Sequence, residues 1–196
     1  YLGVAAGNLL HWLAPQAERL GLPEATVGLM ASADRSCDAI AVAGRLVIAL
    51  LDTLTILLLF MLGRRIYGPW AGLLAAAFYA FAAQAIQLSH FFAMDPASTT
   101  FTVLAIWGAV AMLQSRRRRY ALLTGIAVGL AISSKFSALP IILAPVVAAA
   151  LIWWDVAQQQ ADDDPSEQLA AGRARFVAVT GVIIALAVAA LTFLIT

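Results

Sequence analysis

A few ionisable side chains interrupt long apolar runs in this sequence, and their types could support chemistry. Asp95 stands in Ser-His-Phe-Phe-Ala-Met-Asp-Pro, five residues after His90, and Lys135 interrupts Ile-Ser-Ser-Lys-Phe-Ser. A carboxylate can hold a hydroxyl group or a metal ion, and an ammonium group can bind an anion such as phosphate. Because a charged group inside a bilayer costs about 2.5 to 3.5 kcal/mol, each of these residues requires a structural or functional reason.

Each of these residues also has a structural explanation. Asp95 precedes a proline and could cap a helix, which we weigh equally with the lining of a polar cavity. The ammonium of Lys135 could instead extend to the lipid headgroups, and the two interpretations have equal weight. Asp52 lies two helical turns after Arg45 on the same face. For Asp52 we favour a hydrogen bond or ion pair with a neighbouring helix over catalysis.

The composition indicates the elements that must position these groups. Of 196 residues, 63% are hydrophobic and 12% are charged, about half the charged fraction of a soluble domain. Several long runs without charge can each hold the roughly 20 residues of a bilayer-crossing helix, and they are apolar around the whole helix circumference. The single cysteine, Cys37, excludes an internal disulfide. We therefore predict an all-α, polytopic bundle of transmembrane helices.

About six spanning helices are predicted, near residues 45–63, 70–89, 97–114, 120–135, 137–154 and 176–196. Residues 2–14 are too short and glycine-rich for another span and are predicted as a helix at the membrane interface. The expected organisation is an external loop over 1–43, a transmembrane core over 44–154, an acidic loop over 155–175 and a truncated further span over 176–196.

The basic residues predict the orientation, because short cytoplasmic loops retain Lys and Arg. Eight of the twelve fall in alternate loops, at Arg64, Arg65, Arg116 to Arg119, Arg173 and Arg175. That side, with the acidic loop, is predicted to be cytoplasmic, and His90, Asp95 and Lys135 are predicted to face the opposite side. We favour membrane anchoring over nucleic-acid binding for the four consecutive arginines, and expect lipids but no nucleic acid as partners.

Four segments of the sequence resemble, in the order in which they occur, segments of bacterial polytopic glycosyltransferases of the glycosyltransferase C superfamily. They are similar to the protein O-mannosyltransferases and the lipid A aminoarabinose transferase, over about residues 36–155. The segments are Gly-Arg-Leu-Val-Ile-Ala-Leu-Leu-Asp-Thr-Leu-Thr (44–55), Leu-Gly-Arg-Arg-Ile-Tyr-Gly (62–68), Gln-Leu-Ser-His-Phe-Phe-Ala-Met-Asp (87–95) and Gly-Leu-Ala-Ile-Ser-Ser-Lys-Phe-Ser-Ala-Leu-Pro (129–140).

The resemblance implies an enzyme of the bacterial inner membrane that transfers a sugar, with inversion, from a polyprenyl-phosphate donor. The acceptor, a protein, lipid or glycan, would be on the extracytoplasmic side. In the family an aspartate of the first external loop is the general base. The resemblance places that group upstream of Tyr1, so we expect the 196-residue chain to be inactive alone.

The resemblance also assigns the site residues. Asp95 matches the acidic residue of the second external loop, which in relatives helps form the active site, sometimes near a divalent metal. His90 and Lys135 match positions that face the same cavity. A phosphate leaving group needs a nearby cation, which Lys135 or Arg45 could supply.

Two alternatives stay open. A transporter or flippase would use Asp52, Asp95 and Lys135 along a permeation path, but such a path places charges near the middle of the bilayer. A non-catalytic scaffold subunit is compatible with a general base outside this chain. A further upstream span that ends in an external acidic pair would favour the transferase.

Overall fold

The regular elements of the described chain are all helices. A computed structural model describes residues 2–21, 23–31, 37–89, 93–159 and 165–195, and within these ranges it contains no strand. The all-α prediction is confirmed. The helices are α1 (Leu2–Arg19), α2 (Glu24–Ala31), α3 (Cys37–Tyr67), α4 (Pro69–Ala80), α5 (Ala83–Ser89), α6 (Met94–Ser115), α7 (Arg118–Ser134), α8 (Leu143–Gln159) and α9 (Pro165–Ile195), with a 3-10 segment (Phe136–Ile142) before α8.

The number of spanning helices is smaller than predicted. Four helical segments of the described chain are long and apolar enough to cross a membrane: Gly44–Tyr67, Met94–Ser115, Phe136–Gln158 and Ala171–Ile195. The prediction of six is therefore wrong.

The two other predicted spans are shorter than a bilayer is thick. Residues 70–89 are divided between α4 and α5, because the backbone leaves the helix at Phe81 and Ala82. α7 has 17 residues, or about 25 Å, against a hydrocarbon core of roughly 30 Å. It begins after Arg116, whose φ is 49°, and ends where Lys135 is extended. The uncharged run over 70–89 therefore does not form one continuous helix, whereas α7 has about the predicted length and is too short to cross the hydrocarbon core.

The predicted connections are more helical than expected. α1 continues through Pro15 to Arg19, and α3 already begins at Cys37, so much of the external loop expected over residues 1–43 is helix. α1 packs against α2 and α3. In the predicted acidic loop, α8 continues to Gln159 and α9 begins at Pro165. Asp162, Asp163 and Asp164 lie outside the described residues.

Contacts between helix ends show how the bundle is arranged. Lys135, just after α7, contacts Asp95 in the first turn of α6, so these two helices are antiparallel. Arg65 near the end of α3 contacts Gln114 and Ser115 at the end of α6, so α3 and α6 run in the same direction. α7 packs against both α6 and α9. The bundle therefore has two distinct ends.

Small residues allow these helices to touch backbone to backbone. A Cβ atom on Gly125 of α7 would lie 2.5 Å from the carbonyl oxygen of Ala185 on α9, and one on Gly129 would lie 2.7 Å from that of Ala189. Close packing through small residues one turn apart is typical of helix association in membranes. α7 therefore lies between α6 and α9, which are both longer helices.

Arginine side chains gather at one end of the bundle, which we call the arginine end: Arg64, Arg65, Arg116 to Arg119, Arg173 and Arg175. Arg65 lies over the rings of Trp107 and Tyr120, at 5.7 and 5.9 Å from their centroids. Arg116 forms an ion pair with Asp155 at the end of α8. Asp95 lies in the first turn of α6, and the 21-residue separation from Arg116 corresponds to about 31 Å. We call the opposite end the Asp95 end.

Candidate functional site

The Asp95 end contains an ion pair. Asp95 lies in the first turn of α6 and Lys135 separates α7 from the 3-10 segment. The Nζ of Lys135 donates a hydrogen bond to the Oδ1 of Asp95. The side chains retain 45% of their exposure for Asp95 and 51% for Lys135. Exposed ion pairs contribute only about 0 to 1 kcal/mol to stability, so both charges can be used to bind a ligand at little structural cost.

The start of α6 differs from the capping arrangement considered from the sequence. The residue at the cap position is Ala93, and Asp95 follows within the first helical turn. Its carboxylate is close to the positive end of the helix dipole, which favours a negative charge there. Pro96 also lies in this turn, where its missing N–H costs no helical hydrogen bond. Asp95 is therefore not the N-cap residue of α6, although the helix dipole favours its charge.

The ion pair lies in the wall of a cavity of about 430 Å³. This volume is within the roughly 300 to 1,000 Å³ typical of small-molecule sites. Other polar lining residues are Tyr79 from α4, Gln84 from α5 and Ser98 and Thr99 from α6. Among the described residues, the cavity thus combines a cation and a carboxylate with hydroxyl and amide groups. This set can bind a charged group linked to a polyol.

Two further grooves follow α6 away from this cavity. One of about 460 Å³ shares Ser98 and Thr99 with it and extends to Ile141 of the 3-10 segment. Another of about 280 Å³ lies between α6 and α8 and has apolar walls that include Val110 and Leu151. The surface therefore changes from polar to apolar along the bundle. Such a gradient suits an amphiphile with a polar head and a hydrocarbon tail.

Asp52 takes part in an interaction between helices. Its Oδ1 accepts a hydrogen bond of 2.7 Å from the hydroxyl of Tyr79, across the α3–α4 contact. One turn further along α3, Thr55 forms a 2.8 Å hydrogen bond with Thr100 of α6, and both side chains are buried. A polar seam therefore connects α4, α3 and α6 behind the cavity.

The structure brings only part of the predicted residue set together. Asp95 and Lys135 are in contact. Arg45 is exposed on α3, two turns before Asp52, and does not line the cavity. His90 lies outside the described residues. Sequence reasoning missed Tyr79 and Gln84, because each is a single polar group in an apolar segment.

The described side chains do not form a metal site. In the part of the chain that the structure describes, no three His, Cys, Asp or Glu side chains come together. The Asp95 carboxylate is instead bound by a cation.

A comparison with models of protein families shows which family the chain belongs to. The model of the dolichyl-phosphate-mannose-protein mannosyltransferase family matches residues 38–165, which is more than half of the chain. No curated protein and no solved structure matches significantly. The matched segment includes α6 and α7 with both members of the ion pair, as well as Asp52 and Tyr79. The chain therefore belongs to the dolichyl-phosphate-mannose-protein mannosyltransferase family, a family of membrane glycosyltransferases, and is an integral membrane protein.

Proposed function

We propose that the cavity at the Asp95 end binds a polyprenyl-phosphate-linked sugar and that the enzyme transfers this sugar to an acceptor hydroxyl group. The observation that carries the proposal is the Asp95–Lys135 pair in a polar cavity beside grooves that become apolar. A polyprenyl-phosphate sugar has the same sequence of chemical groups: a polyol, a phosphate and a hydrocarbon chain.

Each part of the cavity has a role in this proposal. The acceptor oxygen attacks the anomeric carbon from the side opposite the phosphate, and the bond from that carbon to the phosphate oxygen breaks. The electron pair leaves with the phosphate, and Lys135 stabilises the added negative charge. The hydroxyl proton passes to a base, which the family resemblance places in the first external loop. Asp95 orients a sugar or acceptor hydroxyl by accepting its hydrogen bond.

We place the cavity on the extracytoplasmic side of a bacterial inner membrane. The gathering of arginines at the opposite end supports this orientation, because cytoplasmic segments retain basic residues. Ser137 and Arg117 are exposed at the two ends of the bundle and provide a test. With Cys37 replaced by serine, a membrane-impermeant maleimide added to intact cells should label Ser137→Cys but not Arg117→Cys. The reverse pattern would invert the topology.

A transfer assay tests the reaction itself. Membranes that contain the protein are supplied with radiolabelled polyprenyl-phosphate mannose. We expect protein-dependent transfer of the label from the lipid fraction to an acceptor. Movement of intact labelled lipid between leaflets without transfer would instead support a flippase, and the absence of both activities would support a scaffold.

A further inference from the structure

Asp52 occupies a position where a carboxylate is costly. It lies eight residues inside the spanning segment Gly44–Tyr67, about 12 Å along the helix from its start. An ionisable residue at such a depth is a functional-site hypothesis by default, and its partner should be identified. Its partner is the hydroxyl of Tyr79. The α3–α4 contact is already made by Gly63 and Gly72, whose backbones touch, so helix packing alone does not require this aspartate.

Tyr79 connects Asp52 to the cavity. It lies in the last turn of α4, and its side chain is half-buried and lines the same cavity as Lys135. The hydrogen bond to Asp52 holds the phenol oxygen on the side of α3. Because that oxygen is fixed, the direction of the ring in the cavity wall is fixed as well.

The wall around Tyr79 matches the chemistry of a sugar ring. A pyranose has a face of C–H groups, which suits the surface of an aromatic ring, and an edge of hydroxyl groups, which need donors and acceptors. Gln84, Ser98 and Thr99 supply an amide and two hydroxyls in the same cavity. If Lys135 binds the phosphate, the sugar must lie beside it, since the two groups are joined by a single oxygen atom.

We propose that Tyr79 forms the wall of the donor-sugar subsite and that Asp52 is its positioning residue. This inference rests on the proposed function, because it takes Lys135 as the phosphate-binding group. The inference assigns the sugar of the donor to Tyr79 and the phosphate to Lys135. It can therefore be tested by comparing a ligand that carries both groups with one that carries the phosphate alone.

The test compares two ligands that differ only in the sugar. The protein is assayed in lipid nanodiscs. Polyprenyl-phosphate mannose is the donor, and sugar-free polyprenyl phosphate is the competitive inhibitor. Tyr79→Ala and Asp52→Leu should each raise KM for the donor at least tenfold, while Ki for the sugar-free lipid stays within about twofold. If Tyr79 and Asp52 had a purely structural role, their substitution would raise KM for the donor and Ki for the sugar-free lipid together.

Conservative variants serve as matched controls. Asp52→Asn retains an oxygen that can accept the Tyr79 hydrogen bond, so its KM should return to within about threefold of the unaltered protein. Tyr67→Phe removes a hydroxyl from an exposed tyrosine at the far end of α3 and should change neither KM nor Ki. An unchanged KM in Tyr79→Ala, or a parallel rise of KM and Ki, would overturn the inference.

Failure of this inference can be distinguished from failure of the proposed function. Loss of transfer on substitution of Asp95 or Lys135, together with normal KM in Tyr79→Ala, would refute only the assignment of Tyr79. Normal transfer in all these variants would refute the proposed function, and the sugar subsite with it.

Discussion

Asp95→Asn should reduce transfer at least tenfold and leave the fold intact. Asparagine keeps the size of the side chain but removes the negative charge that faces Lys135. A tenfold loss corresponds to about 1.4 kcal/mol of transition-state stabilisation. The thermal unfolding temperature should hardly change, because the ion pair is half exposed and Asp95 is not the capping residue of α6. The measurements are kcat/KM and thermal unfolding of the same nanodisc preparation.

Asp155→Asn is a matched control for this variant. Asp155 also pairs with a basic side chain, Arg116, and is 51% exposed, but it lies at the arginine end. Its substitution should leave transfer within about twofold of the unaltered protein. If Asp95→Asn transfers at the same rate as this control, Asp95 has no part in the reaction.

Lys135→Met should have the second large effect, with a different kinetic signature. Methionine preserves much of the side-chain length but cannot bind the donor phosphate or stabilise the charge that develops on it. We expect KM for the donor to rise at least tenfold, kcat to fall, and inhibition by sugar-free polyprenyl phosphate to weaken by a similar factor. The weaker inhibition separates this variant from Tyr79→Ala, for which Ki should stay constant.

Lys135→Arg tests whether charge is the property that matters. Arginine keeps the cation and can bind phosphate, although with a different geometry, so it should recover a substantial part of the donor affinity. Arg117→Met removes an exposed cation at the arginine end and should have no effect on Ki. Equal Ki values for Lys135→Met and the unaltered protein would remove Lys135 from the phosphate site.

The helical class and the placement of Asp95 and Lys135 at one cavity were predictable from the sequence for a physical reason. Long apolar runs specify helices in a bilayer, and a charge that interrupts such runs is costly enough to be informative. The number of spans was not predictable in this way. The helix breaks at Phe81 and Ala82 occur inside uncharged sequence, where hydrophobicity gives no signal of a change in backbone direction.

Tyr79 shows a second limit of sequence reasoning. It occurs in Ala-Ala-Phe-Tyr-Ala-Phe, where a tyrosine has the appearance of an ordinary membrane aromatic. Its significance depends on a hydrogen bond to Asp52, 27 positions earlier in the chain. Asp52 itself indicated only that some neighbouring helix should provide a partner. Which helix provides it is set by the close approach of α3 and α4.

The shortness of α7 has a consequence for the surrounding lipid. Its 17 residues lie against α9, which has 31, and Lys135 marks the point where the shorter helix stops. A bilayer adapts to a short hydrophobic element by thinning locally or by drawing polar side chains toward the interface. Local thinning would bring water and headgroups inward to the ion pair. Under the proposed function, the rate of transfer should therefore depend on the thickness of the host membrane, which sets how far an acceptor must enter the bilayer to reach the donor.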